Sequence, residues 1–315
     1  MNVEADGIDL RIRLGILRLE KREGERNMRK LGYVILAVWL VLGLTPVAAA
    51  GNDFTGAGGT EIRGQVDAWK DGVIEATGTG VSPSSAGNAA QASAMARRAA
   101  IVDGYRNLLE KVGEVRVEAA TTVRNYVLES DMVKTNISGL VQGARIVNEQ
   151  ALPDGSYQVT LQVALFGEHS VAAAIADQMK PAAMLPVPSP SAAYQPSAMG
   201  ESAPVVSGVI VDARGLGLAR VMSPRIYDET GRIIYGNMYL DADFVVSHGM
   251  VDYAVNGDVA GEAASRAGTS PLVVKAIGLR DFNANVVISR ADADAILAAN
   301  AKTNFFARTA VVFEQ

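Results

Sequence analysis

The sequence predicts an α+β protein: two α/β-sandwich-like modules joined by a proline-rich linker and preceded by an export signal. Three observations carry that expectation. Alternating apolar strands recur around Asp-Gly turns beside apolar-striped helices, six of the eleven prolines gather between Pro181 and Pro204, and residues 28–50 run from basic through apolar to small. A chain of 315 residues exceeds one typical core, so two domains are the default.

At the amino terminus, "MRKLGYVILAVWLVLGLTPVAAAG" has a basic start at Met28, Arg29 and Lys30, an apolar run from Leu31 to Leu44 and a small-residue end at Ala48-Ala49-Ala50. It reads as a signal peptide cleaved before Gly51. The 14 residues of the apolar run fall short of the roughly 20 a spanning helix needs, which disfavours the alternative of a retained anchor. Residues 1–27 sit upstream of a complete signal, and "KREGERN" is what a purine-rich ribosome-binding sequence would encode in frame. They are expected to be a mis-assigned extension, with the true start at Met28.

The net charge of −5 becomes −7 beyond residue 50, because the first fifty residues hold eight Lys+Arg against six Asp+Glu. An acidic chain argues against a nucleic-acid partner. The absence of cysteine excludes disulfides, thiol chemistry, cysteine-ligated zinc and the acylated cysteine of a lipoprotein.

The first module is expected over 60–180. "IRGQVDAWKDGVIEATGTGV" reads as a hairpin around Lys70-Asp71-Gly72, since Asp-Gly supplies the positive φ of a tight turn. A long helix follows from about Asn88. Ile101, Tyr105, Leu108 and Val112 recur at three- and four-residue spacing, flanked by Val102 and Leu109, and Gly113 is placed to end the helix. A short strand at Val115–Glu118, a mostly helical stretch near Thr122–Leu140 and a second hairpin around Asp154-Gly155 complete the module, with helices covering one sheet face.

The run "ARRAAIVDGYRNLLEKVGEVRV", then Thr122, "GLVQGARIV" and "DGSYQVTLQVAL", resembles the domain of the Lpp-twenty lipoprotein family, which is similar to the amino-terminal domain of the flagellar assembly protein FlgT. The likeness spans about residues 85–165, and the matching positions include Arg98, Ala99, Asp103, Tyr105, Leu108, Leu109, Val115, Gly143, Ala144, Asp154 and Gly155. It implies an envelope location and an assembly or structural role, with no catalytic residues to carry over. Without a lipobox cysteine, acylation cannot tether this chain, so soluble periplasmic residence or retention by a partner takes its place.

Within that helix Arg97 and Arg98 stand about 100° apart and cannot both face one row of phosphates. A nucleic-acid grip would want more basic turns and interleaved aromatics. Arg98, five residues before Asp103, and Arg106, four before Glu110, are expected to dress the solvated side of a core helix, and a partner-binding face stays open.

Residues 181–204 are expected to be an extended tether, since proline fixes φ and withholds a donor. At roughly 3 Å per residue it could reach about 70 Å. Beyond it, the module 205–315 begins with a buried strand in "VVSGVIVDAR", an irregular "GLGLARVMSP" and a hairpin around Asp228–Gly231. "PLVVKAIGL" and "ANVVISR" read as strands, Ser289 caps a helix of Ala291–Ala301 supported by Asp292, and "RTAVVFE" is a last strand inside the sheet. Gly215-Leu216-Gly217 follows a strand but lacks the third glycine and the helix of a dinucleotide loop.

Candidate chemistry is thin. The two histidines, His169 and His248, fall in different modules, where a lone histidine is most often structural. Asp241/Asp243 and Asp292/Asp294 have i, i+2 spacing without a calcium-loop frame, and neither a phosphate loop nor a nucleophile elbow occurs. No catalytic, cofactor-binding or metal-ligating set is expected. The expectation is therefore a non-catalytic exported envelope protein, periplasmic and with or without outer-membrane association. It would be a structural or assembly accessory to envelope or flagellar-type partners, and not an integral membrane protein once processed. The alternative is a periplasmic small-ligand-binding protein or enzyme using a cleft around Asp212, Arg214, Asp241 and Asp243.

Overall fold

Asn88 starts the longest helix among the described residues, α1 (Ala89–Glu114), by accepting the Gln91 N–H on its Oδ1 at 2.9 Å. The computed structural model containing it describes residues 68–194, 205–255 and 266–315. The expected signal at 28–50, the upstream extension, residues 195–204 of the linker and the first strand of the expected opening hairpin lie outside them.

The first sheet has three strands in the order β1-β3-β2. Strand β1 (Val73–Gly80) pairs antiparallel with β3 (Tyr157–Ala164), and β2 (Arg145–Ala151) pairs with the other side of β3 through a bulge between Ile146 and Asn148. β2 and β3 form the expected hairpin over Asp154-Gly155, where Gly155 has φ 82°. The neighbour of β1 is β3. Its outer edge is closed by α1 side chains one helical turn apart. Asp103 Oδ2 accepts the Thr79 N–H (3.0 Å), Asn107 Nδ2 donates to Thr77 O (2.9 Å), and Lys111 Nζ donates to Glu75 O (2.8 Å). These bonds occupy groups that would otherwise template another strand.

Contact this close between helix and strand needs small residues. The fully buried stripe of α1 is Ala96, Ala100, Gly104, Leu108 and Val112, rising every four residues. A Cβ on Gly78 would overlap the backbone of Gly104 and Ala100, and one on Gly80 that of Ala96 and Ala100. The apolar-stripe expectation is thus rotated. Leu108 and Val112 are buried as expected, but Ile101 and Tyr105 are only half-buried, and Val102 and Leu109 are 63% and 44% exposed. Alanine and glycine carry a much weaker apolar signal than Ile, Leu or Val, so the face they line was not legible from the spacing of large apolar residues. The helix also runs past Gly113 to Glu114, with Val115 as its cap. The stretch after it is two helices, α2 (Val123–Glu129) and α3 (Asp131–Gln142), divided at Ser130, whose Oγ accepts the Val133 N–H. Short helices α4 (Val171–Ala174) and α5 (Ala176–Met179) end the module.

The second sheet has seven strands in the order β6-β5-β9-β8-β4-β10-β7. Strands β4 (Val209–Asp212), β7 (Asp252–Ala254), β8 (Leu272–Arg280) and β10 (Val311–Glu314) run parallel. β9 (Asn285–Ile288) returns antiparallel to β8, β5 (Ile226–Asp228) follows β9 in parallel, and β6 (Ile233–Tyr235) closes the edge antiparallel to β5. The last strand, β10, sits inside the sheet between β4 and β7, as the sequence predicts. Helix α6 (Ala242–His248) precedes β7, and α7 (Arg290–Thr303) packs Ala293, Ile296 and Leu297 into the core with Phe305 and Phe306 behind it.

The protein is therefore α+β. All the described residues fall in one unit, residues 62–315, and buried residues of both sheets belong to one continuous apolar cluster. Met222 N–H donates to Arg116 O (3.0 Å), Ser223 N–H to Val117 O (2.8 Å) and Gly167 N–H to Val246 O (3.0 Å), and Trp69 meets Tyr253 edge-on at 5.5 Å.

The described part of the linker differs from a free tether. Leu185 N–H donates to Met238 O (2.7 Å), Val187 packs on the core, and Ser189 O accepts from Arg232 Nη1 (3.2 Å). Proline's missing donor leaves such a segment to be held by carbonyls and side chains, and the second sheet supplies both. Among the described residues no helix is long and apolar enough to cross a membrane.

Candidate functional site

The carboxyl ends of parallel strands are where open α/β sheets take ligands, and charge collects there in this protein. In-register pairing sets Glu314 beside Asp212 and Asp212 beside Lys275 on three adjacent strands. Arg214, two residues beyond β4, folds back on Asp212 with Nε 2.9 Å from Oδ1 and Nη2 2.8 Å from Oδ2. Its Nη1 lies 3.3 Å from Glu314 Oε1. That contact is ionic only, because Oε1 is buried and accepts no hydrogen bond. The Arg214 hydrogen bonds, with burial opposing, hold the Asp212 carboxyl down at about 2. A carboxylate fixed that way is a poor proton carrier near neutral pH.

This cluster begins residues 213–225, which cross the sheet end and are gripped throughout. Ala213 N–H donates to Glu314 O (2.8 Å) and Ala219 N–H to Asn283 O (2.8 Å). The Tyr253 hydroxyl accepts the Val221 N–H and donates to Val221 O, both at 2.9 Å, and burial pushes its pKa up. Arg225 N–H donates to Asn285 Oδ1 at 2.8 Å. The β8–β9 turn beneath has three successive left-handed residues, Asp281, Phe282 and Asn283, at φ 54°, 56° and 62°. That conformation costs about 1–2 kcal/mol per non-glycine residue. It is held by Asn285 Nδ2 on Asp281 Oδ2 (2.7 Å) and by the Ala219 bond.

A second charged cluster fixes the linker. Arg232 Nε donates to Asp228 Oδ2 (2.9 Å) and its Nη2 to Asp294 Oδ1 (2.7 Å), while Asp294 also accepts the Ser191 N–H (2.9 Å) and the Ser191 hydroxyl. Burial pushes both carboxyls up, but these hydrogen bonds, with those from Thr230 to Asp228, leave each below its ordinary value. Sequence reading missed Glu314, Asp228, Arg232 and Ser191. Glu314 and Ser191 reach these clusters only through chain folding, whereas Asp228 and Arg232, four residues apart in one hairpin, carried a local signal.

The remaining candidates are spread out. Asp241 caps α6 by accepting the Phe244 N–H (2.8 Å), and Asp243 lies in the first turn of that helix. No hydrogen bond or ion pair among the described residues joins either to Asp212 or Arg214. Asp292 and Ser289 cap α7 reciprocally, as the sequence predicts, at 2.7 and 3.1 Å. His248 stacks on Phe244 at 4.1 Å, whereas His169 lies in the first module on a groove of about 990 Å³, with Arg145, Gln162 and Glu168. Gly215 and Gly217 have φ 75° and 74°, and the irregular loop after them confirms a turn without a dinucleotide helix. On α1, Arg97 pairs with Glu149 of β2 (2.8 Å) and Arg106 with Asp103, its partner in place of Glu110; Arg98 has no ionic partner among the described residues.

Residues 208–313 match the family model described as Treponema pallidum Tp0624, second domain. The match covers about a third of the chain and coincides with the seven-stranded sheet and α7. No curated protein matches the chain.

Proposed function

We propose that the protein is a non-catalytic exported envelope protein that serves as a structural or assembly accessory to periplasmic or outer-membrane partners, flagellar-type assemblies included. The observation that carries the reading is the commitment of its buried charge to architecture. Asp212 and Glu314 share Arg214, and Asp228 and Asp294 share Arg232, so each cluster anchors a loop or the linker. The leader-like residues 28–50 and the likeness of 85–165 to an envelope domain support it from the sequence side. The described residues of this accessory fall in one unit, and the described part of the linker lies on the second sheet. Fractionation after expression with the native leader tests it. The expected result is a periplasmic or outer-membrane-associated chain whose intact mass begins at Gly51; a membrane species retaining Leu31–Ala50, or a cytoplasmic chain, overturns the export half.

One observation favours a second reading, a periplasmic small-ligand-binding protein. Glu314 Oε1 and Gln315 Nε2 are buried without hydrogen-bond partners where the parallel strands end. A dialysable ligand seen by native mass spectrometry, and lost in Arg214→Ala, would replace the accessory reading with that one.

A further inference from the structure

We infer that the outward face of α1 is a docking surface for an acidic amphipathic segment of a partner protein; the inference rests on the accessory reading and names the surface through which it operates. Opposite the buried stripe, Met95, Val102 and Leu109 recur every seven residues and are 41%, 63% and 44% exposed. Seven residues are two helical turns to within about 20°, so these side chains form one row along the axis. Ala99 widens the row, and Arg98 and Arg106 flank it from either side of Val102. Met95, Arg98, Ala99, Val102, Asp103 and Arg106 line a shallow depression of about 560 Å³ that is open to solvent. Three large apolar side chains aligned on one outward face make a patch, which marks an interaction surface where scattered single residues do not.

The charges choose the occupant. Arg98 has no ionic partner among the described residues, and Arg106, whose side chain is 71% exposed, shares only Asp103. Arginine forks match carboxylates in two-point fashion. Eight residues at 1.5 Å each put the two guanidinium stems about 12 Å apart along the axis. The complement is a segment with two carboxylates about 12 Å apart and an apolar residue between them to fill the depression over Ala99 and Val102. An anionic lipid surface fits less well, because it is held by broad clusters of lysine and arginine, whereas Arg98 and Arg106 stand as two separate forks with Asp103 between them. The edge strand β1 adds nothing to the site, because Asp103, Asn107 and Lys111 already close it.

The test uses the full chain expressed in its own cells with a photo-crosslinking amino acid at Val102, and with the same group at Ser138 on α3 as control. The crosslinked peptides are sequenced by mass spectrometry. The expected result is a protein adduct at 102 and not at 138, mapped to a segment with at least two Asp or Glu flanking an apolar residue, and reduced at least tenfold by Arg98→Glu with Arg106→Glu. Circular dichroism of that double variant should match the wild type, since both positions are exposed. Lipid adducts at 102, a basic or neutral mapped segment, equal yields in the double variant or no adduct at 102 overturn the inference. Export to the envelope with partners retained in the double variant would sink this surface while leaving the accessory reading standing.

Discussion

Gly78 of β1 and Gly104 of α1 meet backbone to backbone, and a Cβ on Gly78 would overlap Gly104 N and Ala100 O. The reverse contact is softer, because a Cβ on Gly104 meets the end of the Leu161 side chain at 3.0 Å. The two glycines therefore respond unequally. Gly78→Ala should destabilise by about 3 kcal/mol or more, since rigid backbone on both sides cannot give way. Gly104→Ala should be close to neutral, because Leu161 can shift and alanine is favoured over glycine in a helix by about 1 kcal/mol. Urea unfolding of the two variants checks this, and equal losses would contradict the packing.

Leu108 is fully buried against both sheets' shared core, whereas Arg97 is about half exposed and Arg98 is exposed. Leu108→Ala should cost about 2–5 kcal/mol and Arg97→Ala and Arg98→Ala well under about 1 kcal/mol each. Denaturant midpoints at constant slope rank the three. An inverted order would remove the assignment of the buried face.

Asp228 and Asp294 respond to pH through Arg232. Burial raises their pKa values, but the hydrogen bonds outweigh it and leave both lowered in the folded state. A lowered folded pKa gives stability that is complete above the unfolded carboxyl value, about 3.9, and that is lost as pH falls through the folded values beneath it. The stability of the wild type should therefore hold from neutral pH to about 4 and fall below it. Asp294→Asn should be less stable at pH 7 and fall less steeply in acid. Because Asp294 also holds Ser191, the variant should open the described 181–194 segment to limited proteolysis at neutral pH. A variant as resistant as the wild type would show that Ser191 is not what holds the linker down.

The strands were legible because alternation and Asp-Gly turns are local signals. Asp154-Gly155 and Asp228–Gly231 sit at the hairpins where the sequence puts them, and β10 lies inside its sheet. The helix face was misplaced because Ala96, Ala100 and Gly104 pack by being small, which a pattern of large apolar residues does not record. The packing of the linker's described part was not legible because its partners, Arg232, Met238 and Asp294, come from residues 40 or more positions away. Of the candidate cleft, only the Asp212–Arg214 pair, two residues apart, could be read in advance. Glu314 joins it through strand order, which spacing does not specify.

The most direct measurement of the central claim is native mass spectrometry of the mature chain, purified without denaturant from the envelope fraction and then remeasured as Arg214→Ala. A structural or assembly accessory predicts the chain in complex with protein, with no stoichiometric small-molecule adduct and with the complex surviving the Arg214→Ala change. A chain free of protein partners that carries one dialysable ligand per copy, released by Arg214→Ala, would contradict the account and assign the function to the ends of β4 and β10.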